Sequence, residues 1–322
     1  MGGEFDLIAR YFSPAAPEDF LGVGDDCAIM PERRGRQWVA STDLLLQGRH
    51  FAEGADPESL GHKALAVNVS DLAAMGARPE ACLLGRALPN MDEAWLRAFS
   101  KGFLDYAAYT GCALVGGDTT RSAGGVQISV TVMGTVPAGR ALRRDAARAD
   151  DDIWVTGVLG GPHLAWQLSE GRWLEHQNRL PQVRAALEKP LPPWQLAQRL
   201  PMRAHAGLDI SDGLLQDLGH VLHASGCGAR LHYDDLPMEP ALAGLPADVQ
   251  AECMLAGGEV YQLCFMAPAA QREAILLLGR QHGVRVTRVG EITAGGGLQV
   301  LNAAGGVIEP PLRGYDHFSD ET

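Results

Sequence analysis

Several aspartates of this chain lie in a shared local context that suits the binding of cations. Most follow a glycine turn, end an apolar segment or open a helix, one lies within an apolar helix, and most have serine, threonine or acidic neighbours. They are Asp25 and Asp26 in "GVGDDCAI", Asp43, Asp71, Asp118, Asp209 and Asp212. Carboxylate and hydroxyl oxygens are the ligands that Mg²⁺ prefers, and this ion commonly shares the oxygens of substrate phosphates. The pattern therefore indicates a site that gathers divalent cations.

Each of these aspartates also has a simpler structural interpretation. Aspartate beside glycine is common in turns and at helix N-caps. Asp212 in particular suits a helix start, where the helix dipole favours an acid. His220 and His223 are one helical turn apart, as a metal pair would be, but no acid or cysteine joins them. A solvated helix face explains the two histidines as well, and residue types alone leave the metal and turn interpretations both open.

Hydrophobic periodicity predicts the elements that carry the first acids. The segment "QWVASTDLLL" (37–46) predicts a strand that ends near Asp43, and 56–77 predicts a helix capped by Asp56 and closed by Gly76. This helix is largely apolar yet contains Lys63, Asn68, Ser70 and Asp71, and buried polar groups of this kind need partners. Further elements are predicted as strands at 81–89, 112–120 and 125–137 and as an amphipathic helix at 91–111.

The charged stretch "GRALRRDAARADDD" (139–152) marks the predicted domain boundary. A second alternation of strands and helices follows, so we expect an α/β protein with one domain at 1–138 and another at 139–322. The predicted elements are a strand end and helix at 206–226, a strand at 259–268, a helix at 270–283, a strand at 284–292 and a hairpin at 293–310. The proline-rich stretch 181–201 predicts a surface connection.

Composition and missing motifs exclude several classes of function. A formal net charge of −12 argues against binding of nucleic acid or of an anionic membrane surface. No apolar run reaches the ~18 residues of a membrane span. The six cysteines show no C-x-x-C spacing and no signal peptide precedes them, which predicts reduced thiols and a cytoplasmic location. No P-loop, complete dinucleotide fingerprint or nucleophile elbow is present.

Seven ordered segments resemble the thiamine-monophosphate kinases, a family of the aminoimidazole ribonucleotide synthetase-like superfamily. They are "GVGDDCAI", "STDLLLQGRHF", "KALAVNVSDLAAMGA", "LVGGDTTR", "DISDGL", "GGEVYQL" and "GYDHF", and they span essentially the whole chain. The resemblance implies that the ATP γ-phosphoryl group is transferred to thiamine monophosphate, with several Mg²⁺ ions. It also implies a homodimer in which strands of the N-terminal, ATP- and Mg-binding domain pair across the interface. The C-terminal α/β domain would complete the nucleotide and substrate site.

The resemblance also implies roles for individual residues. The expected magnesium ligands are Asp26, Ser41, Thr42, Asp43, Asp71, Asp118, Asp209 and Asp212. Of these, the catalytic set would be Asp43, Asp71, Asp118 and Asp212. Expected contacts to ATP are Gly117, Asp118, Arg144 and Ser211, and expected contacts to the acceptor are His50, Glu259 and Tyr315. Purely structural roles also stay open: a solvated linker for Arg144, a loop cap for His50 and packing of the C-terminal tail for Tyr315.

One motif departs from the family pattern. Members usually have Gly-Gly-Glu-Asp-Tyr-Glu-Leu where this chain has "GGEVYQL", so Val260 and Gln262 replace two acids. This departure bears on the acceptor side of the site more than on the ATP side. It keeps two alternatives open: a related ATP-dependent enzyme with a different acceptor, and a non-catalytic nucleotide-binding homologue.

The implied reaction explains why carboxylates would cluster. The acceptor is a phosphate that is already anionic near neutral pH, so no strong general base is required. The difficulty is to bring two anions together, since one unit pair at about 4 Å repels by roughly 4 kcal/mol at an effective dielectric near 20. Metal ions that bridge phosphate oxygens offset this repulsion and hold attacker and leaving group in line.

Overall fold

The computed structural model describes residues 10–12, 15, 17 and 30–309, which form two compact units. Unit 1 contains the described residues up to Leu72 together with Ala77–Gly139. Unit 2 contains Ala73–Gly76 and the described residues from Arg140 onward. Each unit is built on one mixed β-sheet, as expected of an α/β protein.

Unit 1 has a four-stranded sheet of order β1-β4-β2-β3. The β2–β3 pair is parallel and the other two pairs are antiparallel. Its elements are β1 (Arg36–Leu46), α1 (Pro57–Ala74), β2 (Arg78–Leu88), α2 (Glu93–Thr110), β3 (Ala113–Arg121) and β4 (Gln127–Pro137). These bounds lie within a few residues of those predicted from periodicity.

Helices α1 and α2 start and stop where their sequences dictate. The Asp56 carboxylate accepts hydrogen bonds from the Ser59 amide and hydroxyl, at 2.8 and 2.7 Å, and thereby caps α1. Asp92 caps α2 in the same way, and Gly111 closes it in the left-handed conformation. A Cβ at Gly102 of α2 would stand 1.9 Å from the Glu58 carbonyl oxygen of α1. Glycine there lets the two helices pack closely, which fixes α1 in place.

Strand β1 presents two different faces. Leu45 is buried and Ser41 and Asp43, at alternate positions, are half-buried, whereas Thr42, Leu44 and Leu46 are exposed. The bond between Ser41 and Asp71 of α1 shows that the half-buried face is the one that α1 covers. The alternation of polar and apolar residues thus decides which side chains of β1 meet the helix.

Unit 2 has a seven-stranded sheet of order β11-β10-β7-β9-β5-β8-β6. Only β7–β10 is a parallel pair. Its strands are β5 (Asp151–Thr156), β6 (Ala206–Asp209), β7 (Gly228–His232), β8 (Leu263–Pro268), β9 (Val286–Thr293), β10 (Gly297–Leu301) and β11 (Val307–Ile308). Its helices are α3 (Gly161–Ser169), α4 (Leu180–Glu188), α5 (Trp194–Ala197), α6 (Leu214–Ser225), α7 (Ala247–Ala251) and α8 (Arg272–His282).

The central strand β5 is covered on both faces. All six of its residues are buried, including two aspartates. Ile153 and Val155 belong to a core cluster with α3, α4 and α6. Trp154 belongs to a second cluster with α5 and α8. This two-sided burial is why the segment is an almost continuous apolar run after its acidic start.

Two local predictions in unit 2 need correction. The stretch 181–201 is not a surface connection: it contains most of α4 and all of α5, with Leu187, Leu196 and Leu200 buried. Pro181 and Pro201 lie in the first turn of a helix and Pro193 is the N-cap of α5, positions where a missing N–H costs little. Strand β8 starts at Leu263, not at 259. The hairpin predicted at 293–310 is confirmed: β10 pairs with β11, and β10 joins the sheet through β7.

Among the described residues, no helix combines the length and apolar character that crossing a bilayer requires.

Candidate functional site

Strand β1 and helix α1 bring two predicted ligands of unit 1 into contact. The Ser41 hydroxyl donates a hydrogen bond to Asp71 Oδ2 at 2.5 Å. Asp43 lies two residues along the same face of β1 as Ser41, about 7 Å away along the strand. Three oxygen-bearing side chains are therefore grouped where α1 crosses β1.

The register of the sheet places the "GGD" segment apart from this group. Asp43 is opposite Val130, Val130 is opposite Leu84, and Leu84 is opposite Gly117. Asp43 and Gly117 thus share one row across the sheet, with Asp118 in the next row. Two strands intervene, so three strand spacings of about 4.8 Å separate them by roughly 14 Å. Asp43 and Asp118 of the same chain are therefore too far apart to bind one ion, because two ligand oxygens of a single Mg²⁺ lie within about 4 Å of each other.

The Thr42 hydroxyl does not join Ser41 and Asp43. It lies on the exposed face of β1, where it is 2.8 Å from the Thr131 hydroxyl and 3.1 Å from the Val130 carbonyl oxygen. Strand alternation makes this placement unavoidable for the residue between two inward-facing neighbours. Any metal contact that Thr42 shares with Ser41 and Asp43 would have to use its main-chain carbonyl oxygen.

His50 lies in the turn that follows β1. Its Nδ1 accepts a hydrogen bond from the Leu46 amide at 3.0 Å, and its own amide donates to the Leu46 carbonyl at 2.9 Å. Buried Lys63 of α1 donates to the His50 carbonyl at 3.3 Å. Because Nδ1 is an acceptor here, the neutral ring carries its proton on Nε2.

In unit 2, Asp217 organises the loop that carries two predicted ligands. Asp217 Oδ2 accepts hydrogen bonds from the amides of Ser211, Asp212 and Gly213 at 3.0, 3.0 and 3.1 Å. The side chain belongs to the first turn of α6 and is only 4% exposed. Burial raises its pKa to about 7, the charge of Asp212 adds to the rise, and the three amide donors oppose it. Asp209, also buried, lies just before this loop at the end of β6.

The "GGEVYQL" motif is hydrogen-bonded to this loop through its backbone. The Glu259 amide donates to the Ser211 carbonyl and the Tyr261 amide donates to the Ile210 carbonyl, both at 2.8 Å. The Ile210 amide returns a bond to the Gln262 carbonyl at 2.8 Å. A predicted ATP contact and a predicted acceptor contact are therefore neighbours in one backbone network.

The backbone of this motif is strained. Glu259 and Tyr261 have φ values of 64° and 51°, in the left-handed region that side chains other than glycine, asparagine and aspartate seldom adopt. Each such residue costs of order 1–3 kcal/mol and persists only where its surroundings impose it. Here the bonds to residues 210–211 impose it. Such strain is concentrated at functional sites in proteins, which supports a functional role for the segment.

Glycine is required where the two loops approach. Gly213 has a φ of 122°, and a Cβ there would stand 2.5 Å from the Ala256 carbonyl oxygen. A Cβ at Gly258 would stand 2.5 Å from the Ser211 carbonyl oxygen. These two positions explain the glycines of "SDG" and "GGE" by close backbone approach.

The two departures from the family motif have structural partners. Val260 is 5% exposed and packs in the same core cluster as α6. Gln262 accepts a hydrogen bond from the Thr156 hydroxyl at 2.9 Å and donates one to the Leu191 carbonyl at 3.2 Å. An ionised glutamate could accept from Thr156 but could not donate to Leu191, so the amide suits this position.

Arg144 is exposed and lies in a short 3₁₀ turn of unit 2. The Ser225 hydroxyl donates to the Arg144 carbonyl at 2.8 Å and accepts from the Ala147 amide at 3.1 Å, which ties the turn to the end of α6. Its neighbour Arg143 pairs with Asp145. His220 and His223 are exposed on α6, as expected of a solvated helix face.

Two predicted residues, Asp26 and Tyr315, lie outside the described residues. Within the described part of the chain, no group of three or more His, Cys, Asp or Glu side chains is arranged to hold a metal ion. Sequence reasoning missed Asp217. Its spacing was the available signal, because it falls three residues after Leu214 and four before Val221 on the buried face of α6.

Both units match known protein families. Residues 24–136 match the family "AIR synthase related protein, N-terminal domain" and residues 148–301 match its C-terminal counterpart. The fold and the two motif-bearing units therefore define an AIR synthase related protein.

Closer relatives narrow this class. The chain is 40% identical to the thiamine-monophosphate kinase of Salmonella typhimurium over 98% of both chains. A crystal structure of thiamine-monophosphate kinase from Stenotrophomonas maltophilia K279a is 42% identical, with a TM-score of 0.82 over 92% of this chain and 94% of that one. The chain belongs to the thiamine-monophosphate kinase family and is a kinase. The resemblance and the two-domain fold expected from the sequence are thereby confirmed.

A third similar protein is a solved structure described as a complex with two ligands. The structure described as "AaThiL complexed with AMPPCP and TMP" is 27% identical, with a TM-score of 0.75 over 98% of this chain and 97% of that one.

Proposed function

We propose that this enzyme transfers the γ-phosphoryl group of ATP to the phosphate of thiamine monophosphate, giving thiamine diphosphate and ADP. The observation that carries the proposal is the full-length relationship to thiamine-monophosphate kinases at 40% identity. The relative complexed with AMPPCP, an ATP analogue, and TMP supports both substrates. Val260 and Gln262 have structural partners in this chain, so the altered motif does not argue against the activity.

The donors in unit 1 suit magnesium. Ser41, Asp43 and Asp71 offer hydroxyl and carboxylate oxygens, and Mg²⁺ typically takes one or two carboxylates together with waters and phosphate oxygens. A fully protein-built cage is therefore not required. Asp118, roughly 14 Å from Asp43 across the sheet, would serve a different ion. This separation supports several ions, with Asp26, Asp209, Asp212 and the Thr42 carbonyl as the remaining proposed ligands. When bound, the ions would offset the repulsion between the two phosphate esters.

The remaining residues would bind and orient the two substrates. We assign Gly117, Asp118, Arg144 and Ser211 to ATP, and His50, Glu259 and Tyr315 to the acceptor. His50 would act as a donor through Nε2–H, because its Nδ1 is engaged by the Leu46 amide. None of these groups has to remove a proton from the acceptor, since a phosphate monoester is already anionic near neutral pH. Asp43, Asp71, Asp118 and Asp212 would be catalytic through the ions that they hold.

The direct test is incubation of the purified protein with ATP, Mg²⁺ and thiamine monophosphate, followed by chromatography. Thiamine diphosphate and ADP should form in equal amounts, and excess chelator should abolish both. Turnover on another phosphate or carboxylate acceptor, but not on thiamine monophosphate, would favour a different enzyme of the superfamily. ATP binding by calorimetry without turnover on any acceptor would favour a non-catalytic homologue.

Direct in-line transfer has its own test. ATP made chiral at the γ-phosphorus with oxygen isotopes should give thiamine diphosphate with inverted configuration, because one displacement inverts the centre. Retention would instead require an enzyme-bound phosphoryl intermediate and would overturn the in-line step without affecting the overall reaction.

We further propose a homodimer in which the sheets of unit 1 pair. Strand β1 is at the edge of its sheet, and Leu44 and Leu46 on its outer face are 63% and 38% exposed. An edge strand with exposed apolar side chains invites pairing with another chain. Sedimentation should show a dimer, and Leu44→Lys should shift it towards monomer. A monomeric wild-type protein at micromolar concentration would contradict this assembly.

We place the enzyme in the cytoplasm. The five cysteines among the described residues form no disulfide, which suits a reducing compartment. Recovery of the activity in a periplasmic or membrane fraction would contradict this location.

A further inference from the structure

The hydrogen bonds to Asp217 go beyond ordinary helix capping. A usual N-cap side chain precedes the helix and accepts from amides of its first turn. Here the N-cap is Gly213, which has no side chain, and Asp217 lies inside the helix. Its Oδ2 reaches back to the amides of 211–213, upstream of the helix. The carboxylate therefore orders the loop that precedes α6 as well as the helix itself.

This loop carries two residues assigned to the reaction. Ser211 and Asp212 have their amides bonded to Asp217, so their backbone direction is set by that carboxylate. A single oxygen that accepts three convergent amides fixes the curvature of the loop more tightly than one bond would. A buried amide without a partner also costs about 1–3 kcal/mol, so the three donors depend on the acceptor.

The same network reaches the acceptor side. The Ser211 carbonyl accepts from the Glu259 amide at 2.8 Å, on the opposite side of the peptide chain from the Asp217 contact. The strained Glu259 and Tyr261 conformations are imposed by residues 210–211. A shift of the 211–213 loop would therefore move Glu259 as well.

We propose that Asp217 is a positioning residue that holds the nucleotide- and metal-binding loop 211–213 and, through Ser211, the acceptor-binding Glu259 in one fixed arrangement. The proposal rests on the proposed function for the roles of Ser211, Asp212 and Glu259. Asp217 would act through these neighbours and not by touching a substrate, because its Oδ2 accepts the three amides and its side chain is buried in unit 2.

The test compares Asp217→Ala and Asp217→Asn with Asp151→Asn. Asp151 is a matched control, because it is also a buried acid of unit 2 that accepts from a backbone amide, that of Arg148, at 3.0 Å. The measurements are amide hydrogen exchange of residues 211–213 without ligands, the KM for ATP, the Mg²⁺ concentration for half-activation, kcat and melting temperature. Asparagine keeps one acceptor oxygen at the same position, so this variant should retain part of the function.

We expect Asp217→Ala to speed exchange at 211–213 and to raise both the ATP KM and the half-activating Mg²⁺ concentration by about 10- to 100-fold. Asp217→Asn should be intermediate. Asp151→Asn should lower the melting temperature and leave the two concentrations unchanged. Wild-type exchange and KM in Asp217→Asn, or equal effects in Asp217→Asn and Asp151→Asn, would overturn the proposal. Where Asp217→Ala fails to fold, Asp217→Asn decides.

The positioning role of Asp217 can still be tested if the proposed function is wrong. If the wild-type protein does not phosphorylate thiamine monophosphate, the exchange of residues 211–213 and ATP affinity by calorimetry still report on Asp217. Slower exchange and tighter ATP binding in wild type than in Asp217→Asn would then support the positioning role with another acceptor.

Discussion

The two units position their candidate residues by different physical means. In unit 1, Ser41, Asp43 and Asp71 are side chains on a regular strand and a regular helix, and strand alternation and helix packing decide where they point. In unit 2, the 210–213 and 257–262 segments are irregular, and backbone hydrogen bonds, close glycine contacts and left-handed residues hold them. The arrangement in unit 1 needs only regular secondary structure, whereas the arrangement in unit 2 needs particular backbone dihedral angles and hydrogen bonds.

Because of this difference, we expect substitutions in the two units to affect the reaction and the stability of the fold in different proportions. In unit 1, removing a carboxylate should affect the reaction and leave the fold intact, because the strand and helix do not depend on that charge. In unit 2, a small change to the backbone should affect both together. The four predictions below test this contrast, beginning with the largest expected effect.

Asp43→Asn and Asp71→Asn should each lower kcat/KM by about 10³-fold, since each removes a charge proposed to hold a cation in the transition state. The melting temperature should stay within a few degrees of wild type. The control is Asp105→Asn, an exposed acid of α2 that pairs with Lys101, and its kinetics should be unchanged. Near wild-type activity in either of the first two variants would remove these acids from the mechanism.

Gly213→Ala should lower kcat by about 10²-fold, because a displacement of about 1 Å in a reacting geometry has this effect. It should also lower the free energy of unfolding by about 3 kcal/mol, since φ is 122° and the new Cβ would lie 2.5 Å from the Ala256 carbonyl oxygen. Kinetic assays and urea unfolding measure the two effects.

Gly219→Ala is the matched control for Gly213→Ala. Gly219 lies inside α6, the helix that Gly213 precedes, with nothing near its missing Cβ, so alanine there should stabilise the protein by about 0.5–1 kcal/mol and leave activity unchanged. If both glycine variants lost activity equally, the close approach at 213 would not be the cause.

Asp152→Asn should lower the free energy of unfolding by about 2 kcal/mol at neutral pH and leave kcat unchanged. Burial raises the pKa of Asp152, but hydrogen bonds and charges from Arg272 and Arg288 outweigh it, so the pKa is lower than usual. A lowered folded-state pKa stabilises the protein above the unfolded value of about 4, and this contribution is lost as pH falls further.

The difference between wild type and Asp152→Asn should therefore shrink below about pH 4, as measured by urea unfolding across pH. A pH-independent difference would show that packing at this position, and not charge, is responsible. Loss of activity without loss of stability would break the contrast between the units, because a structural acid of unit 2 would then behave like Asp43.

Gln262→Glu should have the smallest effect, about 1 kcal/mol of stability and less than threefold in kcat/KM. The carboxylate would keep the Thr156 bond but lose the donor to the Leu191 carbonyl. Urea unfolding and steady-state kinetics measure both. A large gain in activity would show that the glutamate usual in the family contributes to the reaction, and that this chain is impaired by lacking it.

Local signals explain how much of the molecule could be predicted from sequence. The periodicity of 37–46 and the caps at Asp56 and Gly76 defined β1 and α1 to within about three residues. The same alternation that predicted β1 also required Thr42 to face away from Ser41 and Asp43. Burial of the polar residues of α1 predicted that they would have partners, and Asp71 has one in Ser41.

Non-local contacts explain what could not be predicted. The segment 259–262 contains Val260 and Tyr261, residues that favour strands, yet it bonds to residues 210–211 with Glu259 and Tyr261 in the left-handed region. The separation of Asp43 from Asp118 follows from β4 and β2 lying between their strands, an order that neither motif encodes. In the sequence, Asp217 is an ordinary acid in the first turn of a helix, and only the structure shows the three amides that donate to it.

The bonds between residues 210–213 and 257–262 also set the order of events when the chain refolds. Helix α6 forms from neighbouring residues, whereas these bonds require closure of all the chain from Ser211 to Glu259, and such closure is slow relative to helix growth. During refolding from denaturant, the helical signal in circular dichroism should recover first and the kinase activity should lag behind it. Such a lag would show that these long-range bonds, and not the helix, complete the site last.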